Sequence, residues 1–367
     1  MPWVDSLKEA ERVMVICNAC RYCEGFCAVF PAMERRRILS EQDLTYLASL
    51  CHNCRDCYYA CQYAPPHEFD LNVPRALGEL RMDTYRVFSW PVFFSRLFLR
   101  NGLAVSLITA LSTSIILLLA FIVQGPSVIF SAHLGEDAFY KVIPYALIVI
   151  PMLAWGLFIL AALFMGFITF WRETGGKMGD LFESDAHLRA LWDALRLKYL
   201  DGGGHGCNYP DDRFSHVRRW FHHLVFYGFM LCLAATTVAA IYEHFLHWGA
   251  PYPLWSLPVV LGTVGGVGLL IGTGGLLYLK RRMDRIPTTP RLLGMDVAFL
   301  VLLFLTSLTG LALLVLRETP AMGILLVVHL GVVVGLFITL PYSKFVHSIY
   351  RYTALLRNAI EESREES

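Results

Sequence analysis

Cys17-Asn-Ala-Cys20-Arg-Tyr-Cys23-Glu-Gly-Phe-Cys27 and Cys51-His-Asn-Cys54-Arg-Asp-Cys57-Tyr-Tyr-Ala-Cys61 repeat one cysteine spacing and contain eight of the ten cysteines. In proteins with two [4Fe-4S] clusters, three thiolates of such a run hold one cluster and the fourth thiolate holds the other. The spacing therefore predicts two ligand sets: Cys17, Cys20, Cys23 and Cys61 for the first cluster, and Cys51, Cys54, Cys57 and Cys27 for the second. A chain with two such clusters is expected to transfer single electrons.

Zinc and disulfide bonds are the simpler uses of cysteine. Structural zinc takes four ligands, usually from two Cys-x-x-Cys pairs or from mixed Cys and His ligands. Each run here supplies four cysteines at a spacing that is uncommon in zinc modules. Disulfides need an oxidising compartment, whereas the loop charges described below predict a cytoplasmic position for this segment. The iron–sulfur interpretation is therefore favoured over both.

The rest of the chain has the composition of a membrane protein. Its 367 residues are 56% hydrophobic, and its formal net charge is only +1. This charge does not indicate a protein that binds nucleic acid. The mean hydropathy is +0.51. A helix needs about 20 apolar residues to cross a lipid bilayer. Six stretches meet this length, and they are 103–123, 145–170, 222–243, 255–279, 295–316 and 321–343.

Basic residues in the loops predict the orientation of these spans. The loops at 171–219, 280–291 and 344–367 carry eight, five and four Lys and Arg residues, whereas the alternate loops carry only Lys141 and Arg317. The positive-inside rule then places both termini and the cysteine-rich head in the cytoplasm. The start of the chain lacks the apolar run and cleavage site of a signal peptide. We therefore expect a multi-pass protein of a bacterial-type inner membrane.

The fold class predicted from these patterns is all-α. Asp5 or Ser6 can cap a helix that runs to about Ile16, and the capping box at 40–43 opens a helix to about Leu50. The predicted units are a helical two-cluster ferredoxin head (1–73), an interfacial linker (74–101), a six-span haem-binding bundle (102–347) with a cytoplasmic insertion at 171–216, and a cytoplasmic tail (348–367).

Two smaller features complete the cytoplasmic part. The insertion contains a predicted helix that starts at Ser184 or Asp185 and carries one apolar stripe, which we expect to pack on the head or on a partner. The stripe consists of Leu188, Leu191, Trp192, Leu195 and Tyr199. Arg21 and Arg55 each follow the second cysteine of a run. They could donate hydrogen bonds to cluster sulfur or form a docking face, and a solvated position is the default expectation for both.

Histidines predict a second type of cofactor. Six of the twelve lie inside or at the ends of spans three and six. An ionisable residue in a membrane needs a reason, and imidazole is a common axial ligand of haem iron. A hydrogen-bonded histidine without a ligand is the simpler alternative for any one of them. The candidate ligands of b-type haem are His222, His223, His244, His329 and His347.

Helix geometry arranges these candidates in pairs. If span six is one continuous helix, His329 and His347 share a face, because 18 residues make five full turns. We then expect His222 or His223 to meet His347 near the cytoplasmic surface, and His244 to meet His329 nearer the outside. The predicted depths of the two histidines in the membrane match better for the pair near the cytoplasmic surface than for the pair nearer the outside. The sequence thus predicts one or two b-type haems.

Longer strings give the chain a family resemblance. They are Cys51-His-Asn-Cys54, Cys61-Gln-Tyr-Ala-Pro-Pro-His-Glu-Phe69 and His205-Gly-Cys-Asn-Tyr-Pro-Asp-Asp-Arg-Phe-Ser-His216. Together with the doubled cysteine run and the six spans, these strings resemble the tricarballylate utilization protein B family, also called the citrate utilization protein B family. The resemblance covers essentially the whole chain.

The resemblance implies a membrane electron-transfer subunit that works with a separate FAD-dependent dehydrogenase subunit. That partner would oxidise tricarballylate to cis-aconitate, and its flavin would be reoxidised through the two clusters and haem toward the quinone pool. The residues agree that the flavin lies elsewhere, because no G-x-G-x-x-G stands between a strand and a helix. Quinone reduction is the one reaction that would make this chain an enzyme.

Two alternatives use the same residues differently. One is an electron-transfer subunit of a heterodisulfide-reductase-like or nitrate-reductase-like complex, in which only the electron donor changes. The other is a transporter with a regulatory iron–sulfur head. Transport is disfavoured because we expect no buried charged residue within the spans and find no inverted repeat.

Overall fold

The computed structural model describes residues 3–366; Met1, Pro2 and Ser367, which belong to the predicted head and tail, lie outside this range. The described chain is almost entirely helical, as predicted, and its two short strands, β1 (Cys207–Asn208) and β2 (Phe214–Ser215), pair antiparallel. The helices α1 to α16 are, in chain order, Trp3–Cys20, Val29–Glu34, Glu41–Leu50, Asp56–Tyr59, Val73–Val87, Val92–Ser95, Asn101–Gln124, Pro126–Ile129, Ala138–Val142, Tyr145–Glu173, Ser184–Leu195, Val217–Phe245, Leu257–Arg282, Pro290–Leu316, Met322–Thr339 and His347–Glu366. Short 3₁₀ turns lie at Arg96–Phe98, Met178–Phe182, Lys198–Leu200, Gly202–Gly204, Leu340–Tyr342 and Lys344–Val346.

Six of these helices are long and apolar enough to cross a membrane, which confirms the predicted number of spans. They are α7, α10, α12, α13, α14 and α15, the last extended by its 3₁₀ turn to Tyr342. The third span begins at Val217, five residues before the predicted start. Leucines on the bundle surface, such as Leu107 and Leu157, remain more than half exposed, as expected of side chains that face lipid.

The head has a core of its own. Helix α1 packs on α5, and α3 packs on α5 and α1. Ala10, Val13, Leu47 and Leu77 are fully buried where these helices meet. Ser40 begins α3 with the predicted capping box, in which its side chain and that of Asp43 each accept from the other's backbone N–H. The predicted start of this helix is therefore confirmed.

Two boundaries in the head differ from the prediction. Helix α1 continues past Ile16 to Cys20, so that Cys17 and Cys20 lie on its last turns rather than in a loop. Helix α5 lies in the range predicted as a linker, but its Leu77 and Leu80 are buried in the head core. Only the part after this helix connects the head to the bundle.

The C-terminal segment is a structural part of the head. It forms α16, which packs on α3 and on α11, and its Leu355, Leu356 and Ile360 are buried in the head core. The segment predicted as a cytoplasmic tail is therefore packed into the head. Because α16 follows the sixth span almost directly, it joins the bundle to the head.

The helix predicted in the insertion exists, and it packs on the head mainly through small residues; of the predicted stripe, Tyr199 lies against the head core. Ala186 and Ala190 of α11 are buried against the head. Leu188, Leu191 and Trp192 are exposed. The small side chains allow α16 to approach closely, and this packing outweighs the burial of the larger stripe.

Small residues bring the spans together. A Cβ atom on Gly228 of α12 would lie 2.8 Å from the carbonyl oxygen of Gly265 in α13, so glycine lets these two backbones approach. Helix α13 packs on α14, which packs on α15 and α7. Helices α12, α13 and α14 thus form one side of the bundle, and helices α7 and α15 form the other.

A charged residue within the spans differs from the expectation based on the distribution of charge in the sequence. Asp296 lies in α14, and its carboxylate is 2.6 Å from Nζ of Lys280 and 2.9 Å from Nζ of Lys344. The expectation that the spans hold no buried charge was therefore wrong. Since two lysines already bind this carboxylate, it is a structural ion cluster rather than an open cation site.

Candidate redox sites

The cysteines of the head line two adjacent pockets. The first pocket is lined by Cys17, Cys20, Cys23 and Cys61, with Cys57 also at its wall. The second pocket is lined by Cys27, Cys51, Cys54 and Cys57. Each pocket therefore contains the four thiols of one predicted ligand set, with the last cysteine of each run in the pocket of the other run.

Left-handed backbone residues produce this arrangement. Arg21 has φ 56° and turns the chain immediately after Cys20, while its N–H donates to the carbonyl of Cys17 at 2.8 Å. In the second run, Asn53 and Arg55 have φ 54° and 75°. These turns bend the backbone around the pockets, so that closely spaced thiols can converge.

The lining of the pockets fits an iron–sulfur cluster. Each pocket carries the four thiols of one predicted set, which is the number of ligands that a cubane takes. Within residues 3–366, no three His, Cys, Asp or Glu side chains converge on one metal-ion position. Burial, followed by the charges of neighbouring thiols, raises the pKa of Cys17 and of Cys23 to about 12. A bound cation is therefore needed to hold these sulfurs as thiolates at neutral pH.

The two pockets differ in their access to solvent. At the first pocket Cys20 is exposed, and the neighbouring Tyr22 side chain is 70% exposed. At the second pocket Cys51, Cys54 and Cys57 are all buried. The first pocket therefore lies where a partner protein can approach, and the second lies inside the molecule.

Arginine 218 connects the second pocket to the membrane bundle. It lies in the first turn of α12, and its guanidinium donates to the carbonyl oxygen of Asn53 at 2.5 Å and to that of His52 at 3.2 Å. These carbonyls belong to the loop between Cys51 and Cys54. The second pocket is thus attached directly to the N-terminal end of the third span.

The loop after the fourth span holds the same pocket from another side. Arg55 donates to the carbonyl oxygen of Asp284 at 3.2 Å, and the hydroxyl of Tyr59 donates to the Asp284 carboxylate at 3.0 Å. Arg55 is only 2% exposed, and its guanidinium lies over the ring of Tyr209. The expected solvated position is therefore wrong for Arg55, whereas Arg21 is exposed as expected.

A ninth cysteine lies beside the second pocket. Cys207 in β1 is fully buried; its thiol donates to the carbonyl oxygen of Leu200 at 3.3 Å, and it packs in the same buried cluster as Cys54. The turn before it contains Gly202 (φ 51°), where a Cβ would collide with the Asp56 carboxylate. The glycine-rich segment 202–206 is therefore a turn that packs against the second cysteine run.

The structure brings His222 and His347 together. Their ring centres are 6.3 Å apart with an interplanar angle of 72°. A metal–nitrogen bond of about 2 Å to each ring separates the two ring centres by roughly 6 Å, so one iron fits between them. Nδ1 of His347 lies 2.6 Å from the carbonyl oxygen of Lys344, which leaves Nε2 for a metal.

The environment favours the neutral, metal-binding form of His347. Burial, followed by the positive charge of Lys344, lowers the pKa of His347 well below its ordinary value. On the facing helix, Nδ1 of His222 is buried and has no hydrogen-bond partner within the described chain. The two residues therefore fit a haem with two histidine ligands.

The other candidate histidines have different partners. His223 faces away from His347 and stacks on Tyr227 at 5.8 Å. His244 is exposed, and its ring nitrogens contact the hydroxyl of Tyr145 at 2.7 Å and the carbonyl oxygen of Ala240 at 2.9 Å. His329 contacts Thr309 through Nδ1 at 2.9 Å. A second haem between His244 and His329 remains a prediction.

One assumption behind the histidine pairing was wrong. Helix α15 ends at Thr339, and two 3₁₀ turns precede α16. His329 and His347 are therefore not on one continuous helix, because Pro341 interrupts the α-helical hydrogen bonds. The break places His347 at the start of a new helix.

Sequence reasoning missed Arg81, Arg218 and Arg351 near these sites. Arg81 donates to the carbonyl oxygens of Ala48 and Cys51 at 3.0 and 2.5 Å. A signal was present for the other two, because each stands four residues from a histidine of the pair. Four residues bring two side chains to one face of a helix.

Comparisons with known proteins agree on one family. Residues 97–367 match the family model described as citrate utilization protein B, and residues 10–86 match the citrate utilization protein B Fer4-like domain. A protein of Escherichia coli described as citrate utilization protein B is 50% identical over 365 residues, which cover 97% of this chain and 93% of that protein. No solved structure matches the chain.

Proposed function

Because the chain belongs to the citrate utilization protein B family, we propose that it is a membrane electron-transfer subunit that reoxidises the flavin of a partner dehydrogenase and delivers the electrons to quinone. The Fer4-like family match covers both cysteine runs, and the six apolar helices supply the membrane anchor. Basic residues in the loops support a position of the head in the cytoplasm.

The proposed cofactors are two [4Fe-4S] clusters and at least one b-type haem. The first cluster would be held by Cys17, Cys20, Cys23 and Cys61, and the second by Cys27, Cys51, Cys54 and Cys57. His222 and His347 would be the haem ligands. When bound, these groups supply one-electron redox chemistry that amino-acid side chains lack.

The observation that carries the proposal is the order of the three sites from solvent to membrane. The first pocket is open at Cys20, the second is buried behind it, and Cys57 lines both. Arg218 joins the loop of the second pocket to the helix that carries His222. The chain would thus hold neighbouring sites at fixed distances from one another.

The proposed electron donor is a separate FAD-dependent dehydrogenase subunit that oxidises a tricarboxylate, with tricarballylate to cis-aconitate as the reaction implied by the family. Such a dehydrogenation releases two electrons and two protons, and reduction of a quinone to a quinol takes up the same number. The name of the family also refers to the utilization of citrate, which is a tricarboxylate. The exposed surface around Tyr22 is where the donor would dock.

The proposal is tested with the purified protein, the candidate dehydrogenase and a soluble quinone. We expect tricarballylate to reduce the haem, seen in the Soret and α bands, and to reduce quinone only when all components are present. A Cys20→Ser variant should block reduction by tricarballylate while dithionite still reduces the haem. A Cys232→Ser variant, which changes a cysteine in a span, is the matched control.

Several outcomes would contradict the proposal. Wild-type protein that binds no haem would remove the inner site, and Cys20→Ser protein that still accepts electrons from the dehydrogenase would remove the first cluster from the route. Electron transfer from a thiol–disulfide or nitrate-reducing system, but not from the tricarballylate dehydrogenase, would identify a different partner.

A further inference from the structure

Two arginines stand in matching positions beside the histidine pair. On α12, Arg218 precedes His222 by four residues, and on α16, Arg351 follows His347 by four residues. Residues four apart lie on one face of a helix, with Cβ atoms about 6 Å apart. Both arginines lie on the head side of their histidines, because α12 leaves the head and α16 enters it.

These guanidinium groups belong to a cluster of positive charge, in which Arg81 is buried and Arg218 and Arg351 are half-buried. Arg81, Arg218 and Cys51 are neighbours of Arg351, together with Tyr85. No carboxylate of residues 3–366 forms an ion pair with Arg81, Arg218 or Arg351. A buried cation without a counter-ion is costly, so this region is incomplete without a bound anion.

Only one of the three arginines has an unused buried donor. Arg218 and Arg81 donate to backbone carbonyls of the second cysteine run. Nη1 of Arg351, in contrast, is buried and has no hydrogen-bond partner within the described chain. The planar guanidinium fork matches a carboxylate better than any other common anion except phosphate.

We propose that Arg351 binds a carboxylate of the porphyrin held between His222 and His347. This inference rests on the proposed haem site and adds the residue that orients the ring in it. The helical spacing puts the open Nη1 one turn to the head side of His347, next to the space where a ring between the histidines would bind. Arg351 is in this sense a positioning residue.

The competing role for Arg351 is to balance the negative charge of the second cluster. Arg81 serves that region directly, because it donates to the carbonyl of Cys51. Arg351 lies on the helix of His347, and its only open donor is not used by the cysteine loop. The two roles predict effects on different cofactors, which makes them separable by experiment.

The test is a double-mutant cycle between Arg351 and the porphyrin carboxylates, carried out on the full-length protein in detergent. Wild-type, Arg351→Gln, Arg351→Lys and Arg357→Gln proteins are each loaded with haem b or with its dimethyl ester. The rate of haem loss to excess apomyoglobin and the haem midpoint potential are measured. Arg357 is the matched control, because it lies on the same helix but pairs with Glu361 and Asp43.

We expect Arg351→Gln to accelerate the loss of haem b by about 10- to 100-fold, as the removal of a charge-assisted hydrogen bond predicts. The same variant should lower the haem potential, because it removes a cation that favours the reduced iron. Arg351→Lys keeps the charge and should lie between Arg351→Gln and wild type. Arg357→Gln should behave as wild type. With the dimethyl ester, wild-type and Arg351→Gln proteins should lose the porphyrin at the same rate.

Equal effects of Arg351→Gln on haem b and on the dimethyl ester would overturn the inference. So would unchanged haem loss together with a weakened paramagnetic resonance signal of the reduced second cluster, which would assign Arg351 to the cluster. Both results leave the proposed function intact, whereas a wild-type protein that binds no haem b would overturn the inference and the proposed haem site together.

Discussion

Nη1 of Arg218 lies 2.5 Å from the carbonyl oxygen of Asn53, so that a residue of the third span holds the loop between Cys51 and Cys54. Four residues further along α12, His222 faces His347. One helix therefore contacts both the inner cysteine site and the histidine site. In the proposed function, this contact would keep the second cluster and the haem at a fixed distance.

Replacement of Arg218 by Gln should slow electron transfer between the head and the haem. The loss of two hydrogen bonds from a charged donor costs about 1.5 to 3 kcal/mol each, which loosens the loop. Flash reduction of the head followed by absorbance at the Soret band should show slower haem reduction. Arg219→Gln is the matched control, because Arg219 pairs with Asp201 and contacts neither cysteine run. Equal rates in the two variants would contradict the expectation.

His222 and His223 should differ sharply when replaced. His222→Ala removes a ring that faces His347, and we expect haem affinity to fall by at least about 10- to 100-fold. His223→Ala removes a ring that stacks on Tyr227, and haem should be retained. A pyridine haemochrome assay on both purified variants gives the haem content directly. If His223→Ala lost the haem and His222→Ala kept it, the assignment of the ligand would be wrong.

Cys57→Ser should disturb both clusters, whereas Cys20→Ser should affect one. Cys57 lines both pockets, and Cys20 lines only the first. Paramagnetic resonance of the dithionite-reduced proteins should show loss of the second cluster and an altered first cluster in Cys57→Ser. In Cys20→Ser the second cluster should keep its signal. Unchanged first-cluster signals in Cys57→Ser would mean that the two sites are independent.

The sequence predicted features that depend on local pattern. The number of spans follows from runs of apolar residues, and the capping box at Ser40 follows from contacts within one turn. The two groups of cysteines that line the pockets follow the doubled spacing, although Cys27 and Cys61 each lie in the pocket of the other run. The spans and the capping box have physical causes that act within a few residues or within one helix.

The features that the sequence did not predict depend on contacts between distant segments. Arg55 is buried because the loop at Asp284 lies over it, and no local pattern indicates that loop. Helix α11 buries Ala186 rather than Trp192 because α16 lies against its small side chains. The helix breaks at Pro341, so His347 lies on a new helix. The proline is a local signal for this break, which the expectation of one continuous span did not include.

Asp296→Asn should destabilise the protein. The carboxylate neutralises Lys280 and Lys344, and the three side chains keep only 17 to 23% of their exposure. Breaking a buried ion cluster by removing one partner costs about 3 kcal/mol or more. A lower thermal unfolding midpoint is expected, and Glu9→Gln at an exposed ion pair should change it little. A midpoint equal to that of wild type would show that the cluster contributes no net stability.

The capping box of α3 should make the head sensitive to acid. Burial opposes ionisation of Asp43, but hydrogen bonds from Ser40 and Arg36 prevail and hold the pKa of this carboxyl below its ordinary value. A depressed pKa in the folded state contributes stability that is fully present above the unfolded pKa of about 4. That contribution is lost as the pH falls through the folded pKa. Wild-type protein should therefore lose more stability below about pH 4 than an Asp43→Asn variant does.

At neutral pH, removal of the same contact by substitution should lower the stability of the protein. Ser40→Ala removes the hydroxyl that accepts from the N–H of Asp43, and we expect a loss of about 1 kcal/mol. Ser184→Ala is the matched control, because Ser184 starts α11 and the residue before it makes no side-chain cap. Thermal unfolding of the three variants at pH 7 and pH 4 measures both effects. An Asp43→Asn variant with the same acid sensitivity as wild type would place the titrating group elsewhere.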